Sequence, residues 1–266
     1  MHKLYDIPLL YDLAFRRGGI SFHVDGLVEI HERFRPHHEL LSILELAAGP
    51  GRHALEFAQR DYNVSILDNS EAMCSYVTKL AQESSLTIDT NCVDMRNFSI
   101  PGSFDLAMIV LNSIGHIHER EHFKTHLHSV WKHLKSEGLY VIEAHYPHWI
   151  DRLSLSMSSW RVEMSELSLQ VDFGRPDDDF DLERKIRKLK LHVHGELRGE
   201  PLEFADYLVI RSWSADAIEE IVSDSKLFKI ATKLSALDLS YPFEAETAGR
   251  LVFVLKKIDE PEMPQT

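Results

Sequence analysis

The apolar positions of the chain follow two periods, and the change from one to the other divides the sequence. Over residues 44–145, short continuous apolar runs alternate with segments of helical spacing. LELAA runs into Gly49-Pro50-Gly51, and residues 52–60 then set Ala54, Leu55, Phe57 and Ala58 on one helical face. VSILD, ending in Asp68, reads as a buried parallel strand, and Asn69-Ser70 caps a helix carrying Met73, Tyr76, Val77 and Leu80. A third strand ends near Asp94, and FDLAMIVL, residues 104–111, is a central one. A helix over about 119–134 buries Phe123, Leu127, Val130, Trp131 and Leu134, and Ser136-Glu137-Gly138 ends it before the strand LYVIEAH. This alternation predicts an α/β domain with a doubly wound parallel sheet whose ligands lie at the carboxyl ends of the strands.

The flanking segments differ. Residues 5–15 and 20–34 show helical spacing, with Leu27, Ile30 and Phe34 on one apolar side of the second segment. They predict a helical cap over residues 1–40, and the Gly18-Gly19 pair between them suits either an ordinary loop or a mobile lid. After residue 155 the period becomes two. Trp160, Val162 and Met164, then Leu167, Leu169, Val171 and Phe173, alternate with polar residues; GRPDDD turns the chain, and Leu189, Leu191 and Val193 and then FADYLVIRSW continue the strands. An antiparallel β insertion over 155–212 follows, expected to wall a substrate pocket or to make a homodimer contact. Its basic run RKIRKLK reads as a solvated strand face beside an acidic stretch. A helix over 214–225 and the strands LFKIATKL and RLVFVLKK return to α/β form, so one domain over 1–258 is expected, with a disordered tail at 259–266.

Composition narrows the partners. A chain of 266 residues with 44% hydrophobic residues supports one large domain with an insertion. A formal charge of −13 opposes nucleic acid and anionic membranes and favours a small-molecule partner. Two cysteines, Cys74 and Cys92, make no disulfide framework or metal-ligand spacing, and MHKLYDIPLL lacks a long apolar run; both point to a cytoplasmic protein. His118, His122 and His126 recur every fourth residue, but without an adjoining carboxylate signature they read as a solvated stripe, and no metal is expected.

The chemistry concentrates at the glycine turn. Gly49 and Gly51 allow a sharp turn and close approach to a ligand, with the first N–H groups of the next helix pointing back at it. A nucleotide-like cofactor fits such a turn. Gly49-x-Gly51-x-x-Ala54 also satisfies the dinucleotide fingerprint, with Asp68 at about the expected spacing of 20 residues, so NAD stands beside other nucleotides at this point.

Four stretches, LLYDLAF, LELAAGPG, DMRNFSI with LNSIGHI, and YVIEAHYP, together with a closing strand pair, extend the pattern. In these residues the chain resembles class I S-adenosylmethionine (SAM) dependent methyltransferases over most of its length, nearest to amino-sugar N,N-dimethyltransferases. Ala47 stands where that family commonly has glycine. The resemblance implies a Rossmann-like seven-stranded sheet and SAM as cofactor. It places Glu45 and the Gly49 to Gly51 backbone at the amino-acid end of SAM, Asp68 at the ribose, and Asp94 and Met95 about the adenine, with Ala47, Asn69, Met73 and Leu111 completing the cofactor-binding set. Tyr11 and His116 are implied beside the acceptor atom as the catalytic pair. His145, Tyr146 and Trp149 follow the fifth strand and read as further substrate-lining residues, and they differ from the aromatic pair of the amino-sugar enzymes. Asp94 as a helix cap, Met95 as core and His116 as a buried hydrogen-bonded histidine are the plainer readings of the same residues.

The implied reaction is in-line transfer of the sulfonium methyl to a nitrogen, or secondarily an oxygen, of a small polar metabolite, with positioning as the main source of rate. A nicotinamide-dependent oxidoreductase and a noncatalytic SAM-binding module are the alternatives. The dinucleotide fingerprint leaves Asp94-Met95, the His116 stretch and the closing strands unexplained.

Overall fold

The computed structural model describes residues 4–16, 18–145 and 158–261. Strands β1 (Ser42–Leu46), β2 (Asn63–Asp68), β3 (Ile88–Cys92), β4 (Phe104–Ile109) and β5 (Leu134–His145) pair in parallel, and β11 (Phe228–Leu234) and β12 (Arg250–Lys257) close the sheet antiparallel. The strand order is β11-β12-β5-β4-β1-β2-β3. Order reverses at β1, which sits between β2 and β4, so the crevice at a doubly wound sheet's switch point lies beyond its carboxyl end.

Alternation along each strand builds two cores. Ile43, Leu106, Met108, Val141 and Val254 face α2 (Ile20–Phe34) and α3 (Arg52–Gln59), while Leu44, Ala107, Ile109, Tyr140, Ile142 and Phe253 face α5 (Arg120–His133) and α6 (Ala215–Ser225). Such continuous burial is why these strands read as apolar runs. A fifth flanking helix, α4 (Glu71–Glu83), packs beside β2 and β3.

The insertion forms its own antiparallel sheet. β6 (Ser158–Met164), β7 (Leu167–Phe173), β9 (Ile186–Leu197) and β10 (Glu200–Arg211) run in the order β10-β9-β7-β6, and the short β8 (Asp179–Asp181) pairs with β9. One face carries Leu167, Leu169, Val171, Leu191 and Val193, which pack on Leu4, Leu10 and Ala14 of the N-terminal cap. The cap consists of a 3-10 turn at Leu4–Asp6 and α1 (Pro8–Ala14).

Several expectations are corrected. Ser136-Glu137-Gly138 lies inside β5, which begins directly after α5; Glu137 takes a φ of 55° and the pairing with β4 shifts there, so these residues form a bulge. The third strand ends at Cys92, short of Asp94. His126 belongs to no solvated stripe: it is buried, with Nδ1 2.7 Å from the Met95 carbonyl and Nε2 2.6 Å from the Tyr140 hydroxyl. A carbonyl only accepts, so Nδ1 carries the proton and Nε2 accepts from Tyr140. Burial holds this imidazole's pKa down to about 4. No helix among the described residues is long and apolar enough to cross a membrane, a statement that bears on helices alone.

The amino edge of the sheet is tied by Asp105, buried at the start of β4. Its carboxylate accepts from Arg35 Nη1 at 3.1 Å, Ser42 Oγ at 2.8 Å, the Ser42 N–H at 3.0 Å and Lys135 Nζ at 2.8 Å. Burial alone would raise its pKa, but the bonds from Lys135, Ser42 and Arg35 outweigh it and hold the carboxyl far below its ordinary value. Asp105→Ala would leave the Arg35 guanidinium buried without its counter-ion, a change that costs about 3 to 5 kcal/mol. Denaturant unfolding should show that loss at neutral pH. The Asp105 contribution is complete above the unfolded-state pKa of about 3.9 and is lost as pH falls toward the depressed folded value, so the difference between the two proteins should narrow in acid.

Candidate functional site

The turn after β1 is held open by unusual backbone. Ala47, Gly49 and Gly51 take φ values of 50°, 54° and 68°. A Cβ on Gly51 would approach Val77 Cγ2 to 2.7 Å, so glycine is required there by α4 as well as by conformation. Glu45 grips the turn from below: Oε2 accepts from the Ala54 N–H of α3 at 2.9 Å, and Oε1 lies 3.4 Å from His53 Nδ1. His53 Nε2 in turn lies 3.2 Å from His23 Nδ1. The helix end is satisfied by an acid from the preceding strand.

At the carboxyl end of β2, Asp68 Oδ2 accepts from the Gly49 N–H at 2.8 Å and Oδ1 from the Ser70 N–H at 2.9 Å. Burial raises its pKa, opposed by these backbone bonds. Ser70 caps α4 by accepting the Met73 N–H at 3.2 Å, and its hydroxyl donates to the Tyr5 carbonyl at 2.8 Å. The cap therefore rests on the turn that positions Asp68.

Arg52, the first residue of α3, clamps that cap. Its Nε donates to Asp12 Oδ1 at 2.6 Å and its Nη1 to the Phe15 carbonyl at 2.8 Å, and Tyr76 adds a bond to Asp12 Oδ2 at 3.2 Å. The Tyr11 ring is thereby held over the turn, with Cε1 3.9 Å from where a Gly49 Cβ would stand. Tyr11 stacks on Phe15 at 4.8 Å and tilts against Tyr5 at 5.7 Å. Gly18 and Gly19 meet nothing within 4 Å, and Gly19 takes a φ of 93°, so conformation alone requires glycine beyond the cap.

His116 ends the short helical turn Ser113–His116 after β4, with Nε2 3.0 Å from the Tyr5 hydroxyl. Burial pushes its pKa down to about 4, with the neighbouring His118 acting the same way. Tyr5 is pushed well above 10.0 by burial and then by Tyr11, Asp68 and Asp206. Both groups are neutral at pH 7. The turn fits tightly beneath β10, since a Cβ on Gly115 would lie 2.7 Å from Ile210 Cγ2 and 2.9 Å from the Arg211 carbonyl.

Contacts thus link Asp68, Gly49, Tyr11, Tyr5 and His116 in series beyond the carboxyl end of β1. Leu111 and Asn112, at the end of neighbouring β4, also take left-handed φ values of 54° and 66°. The Leu111 N–H donates to Glu143 Oε2 at 2.8 Å, and Asn112 Oδ1 accepts from the His145 N–H at 3.0 Å. Asn69 is exposed on the same edge.

Other expected residues sit differently. Met73 is fully buried on the inner side of α4. Asp94 pairs with Arg96, whose Nε lies 3.0 and 2.9 Å from its two oxygens, and these bonds lower its pKa. Met95 packs in the core while its carbonyl holds His126. Tyr146 and Trp149 lie outside the described residues. Sequence reasoning missed Tyr5, Asp12, Arg52 and Glu143. The Tyr-Asp pair occurs twice, at 5–6 and 11–12, and that repetition was the available signal for Tyr5 and Asp12.

Residues 43–138, which supply the turn, Asp68 and His116, match the family model described as a methyltransferase domain. The chain is similar to that domain over these residues. It is 27% identical over 146 residues to a dTDP-3-amino-3,6-dideoxy-alpha-D-glucopyranose N,N-dimethyltransferase of Streptomyces fradiae, covering 54% of each chain. It is 28% identical over 104 residues to a putative methyltransferase, YqeM, of Bacillus subtilis (strain 168), covering 39% of this chain and 42% of that one. The chain thus spans about half the length of the relatives it matches in sequence. The fold likeness extends further. An S-adenosylmethionine-dependent methyltransferase structure from Clostridium acetobutylicum ATCC 824 superposes with a TM-score of 0.79 at 17% identity, covering 94% of this chain and 96% of that one. For DesVI of Streptomyces venezuelae the TM-score is 0.75 at 17% identity, covering 97% and 100%. The family match covers β1 to β4 and the start of β5, and the fold likeness takes in the cap and insertion as well.

Two measurements probe this geometry. The His116 imidazole should titrate near pH 4 by NMR; its contribution to stability is complete above the ordinary value of about 6.5 and lost as pH falls toward 4. A midpoint at the ordinary value would contradict the buried neutral pair with Tyr5. Asp12→Ala removes the partner of Arg52 and Tyr76, so amide exchange across α1 should accelerate by about 10- to 100-fold, the equivalent of one charged hydrogen bond of about 1.5 to 3 kcal/mol. Unchanged exchange would show that other contacts hold the cap.

Proposed function

We propose that this chain is a SAM-dependent methyltransferase acting on the nitrogen of a small polar metabolite of the amino-sugar class. The observation that carries the proposal is the fixed Asp68 carboxylate beside the Gly49 to Gly51 turn. A carboxylate offers about four acceptor sites, and the inward ones are engaged by Gly49 and Ser70. The remaining sites suit a ribose diol. Asn69 flanks the ribose, Ala47, Gly49 and Gly51 carry the amino-acid end, and Leu111 borders the same end from β4. Glu45 serves by holding α3 and the turn in register. Asp94 and Met95 form the adenine side, with Arg96 setting the direction of the Asp94 carboxylate.

The acceptor enters between Tyr11 and His116, with the insertion as its outer wall. The packing of the insertion's apolar face on the cap supports that reading over a homodimer contact. His145, and Tyr146 and Trp149 beyond it, belong to the same acceptor side. An imidazole held near pKa 4 is a poor proton acceptor for an ammonium, so His116 positions the acceptor by hydrogen bonding in concert with Tyr5. The amine arrives neutral, attacks the sulfonium methyl in line, and gives up its proton to solvent after transfer; alignment supplies the rate. The two names of sequence relatives that specify an amino sugar support nitrogen over oxygen. The cytoplasm is the compartment we assign.

Calorimetry should detect SAM and S-adenosylhomocysteine but not NAD, and Asp68→Ala should weaken SAM binding by about 1.5 to 3 kcal/mol, about 10- to 100-fold. Mass spectrometry with nucleotide-linked amino sugars and simple amines should show a methyl gain. His116→Ala should lower turnover more than SAM affinity without removing a pH-dependent limb. NAD binding in place of SAM would overturn the assignment. Tight SAM binding without any methylated product across that panel would overturn the acceptor class.

A further inference from the structure

The outer face of the insertion sheet carries chemistry that methyl transfer does not use. His192 and His194 lie two residues apart on β9 and so share a face, and their rings stack at 4.7 Å with 26° between planes. Asp172 on β7 stands directly opposite His192, and Glu203 on β10 directly opposite His194. Three adjacent strands therefore deliver two imidazoles and two carboxylates to one patch.

We propose that Asp172, His192 and His194 form a binding site for a divalent transition metal of the zinc class. One ligand atom from each of the three lies within 4.8 Å of the others. A zinc ion with nitrogen and oxygen ligands at about 2.0 to 2.2 Å needs them about 3.4 Å apart, so modest side-chain rotation closes the set. His194 Nε2 is already 3.8 Å from Asp172 Oδ2. The other Asp172 oxygen is steadied by the Ser159 hydroxyl at 2.7 Å, which orients the carboxylate as a supporting hydrogen bond does around a metal. Glu203 Oε1, 3.0 Å from His192 Nε2, orients that ring from β10.

Charge favours the same conclusion. Two carboxylates balance a divalent ion, and the nearby cations are turned elsewhere: Lys190 pairs with Asp177 at 2.7 Å, and Lys188 lies over the Tyr207 ring at 3.9 Å. Two imidazoles with carboxylate select zinc, nickel or copper over magnesium or calcium, which prefer all-oxygen sites. The metal is a clip. It would join β7 and β9 on the face opposite Leu169, Val171, Leu191 and Val193, the residues that pack on the cap.

The test is calorimetric titration of the full chain, freed of metal by chelation, with Zn2+ and separately with Mg2+. One equivalent of Zn2+ should bind saturably and raise the unfolding midpoint, Mg2+ should do neither, and Co2+ should give the intense visible bands of a near-tetrahedral site. His192→Ala combined with His194→Ala should lower Zn2+ affinity by about 100-fold, and Asp172→Asn by about tenfold or more. Cys92→Ser, removing the exposed thiol, should leave it unchanged. The histidines face outward, so far-UV circular dichroism of the variants should match the parent. Absence of saturable Zn2+ binding, or equal affinity in the double-histidine variant, would overturn the site. Neither outcome bears on SAM binding, so the two proposals fail separately.

Discussion

The site depends on one hydrogen bond across β1 and β2, from the Gly49 N–H to Asp68 Oδ2. To reach it the chain must leave β1 through left-handed backbone at Ala47, Gly49 and Gly51. For Ala47 that conformation carries strain that the glycines escape. The strain is offset by Glu45, whose buried carboxylate satisfies the start of α3. Once α3 begins at that point, its first residue is Arg52, and Arg52 is what secures the cap. A single bond between strand end and turn thus propagates into the placement of Tyr5 and Tyr11.

The cap makes the electrostatics of the acceptor side. Tyr5 and His116 would each be closer to their ordinary pKa values in water; enclosed together, both are held neutral. A neutral pair can donate and accept without bringing a charge beside a sulfonium. Asp68 lies close enough to raise the Tyr5 pKa further, and its own bonds to backbone N–H groups favour the ionised form against burial.

Much of the sheet was legible because a strand buried on both faces must be apolar throughout, and the runs ending at Asp68 and Leu111 have no competing interpretation. The insertion was legible for the converse reason, since one face of it is solvated and Leu189, Leu191 and Val193 alternate with charge. Asp68 and the glycine turn could be read because the residue types are themselves the signal. Tyr5, Asp12 and Arg52 could not, because their roles arise from contacts between segments distant in sequence, of which 40 positions separate Arg52 from Asp12. His126 misled for a related reason: its spacing matches a surface stripe, yet the Tyr140 hydroxyl and the Met95 carbonyl satisfy both ring nitrogens inside the core. Ser136 to Gly138 has turn composition, but Glu137 absorbs the left-handed conformation in a bulge without interrupting β5.

The insertion couples its two faces through register. Val171 pairs with Val193 and Asp172 with His192, so the apolar pair that meets the cap and the polar pair on the outer face are consecutive rungs of one ladder. A slip of one residue would send His192 inward against Leu10 and expose Val193, exchanging the two sets together. Gly195 pins that register, for a Cβ there would stand 2.0 Å from the Ser168 carbonyl and no other residue accommodates so close an approach at a φ of 151°. Gly115 fixes the other end by admitting β10 against the His116 turn. Between these two glycines the sheet has little freedom to slide, and whatever stiffens its outer face also stiffens the wall that holds Tyr5 against His116.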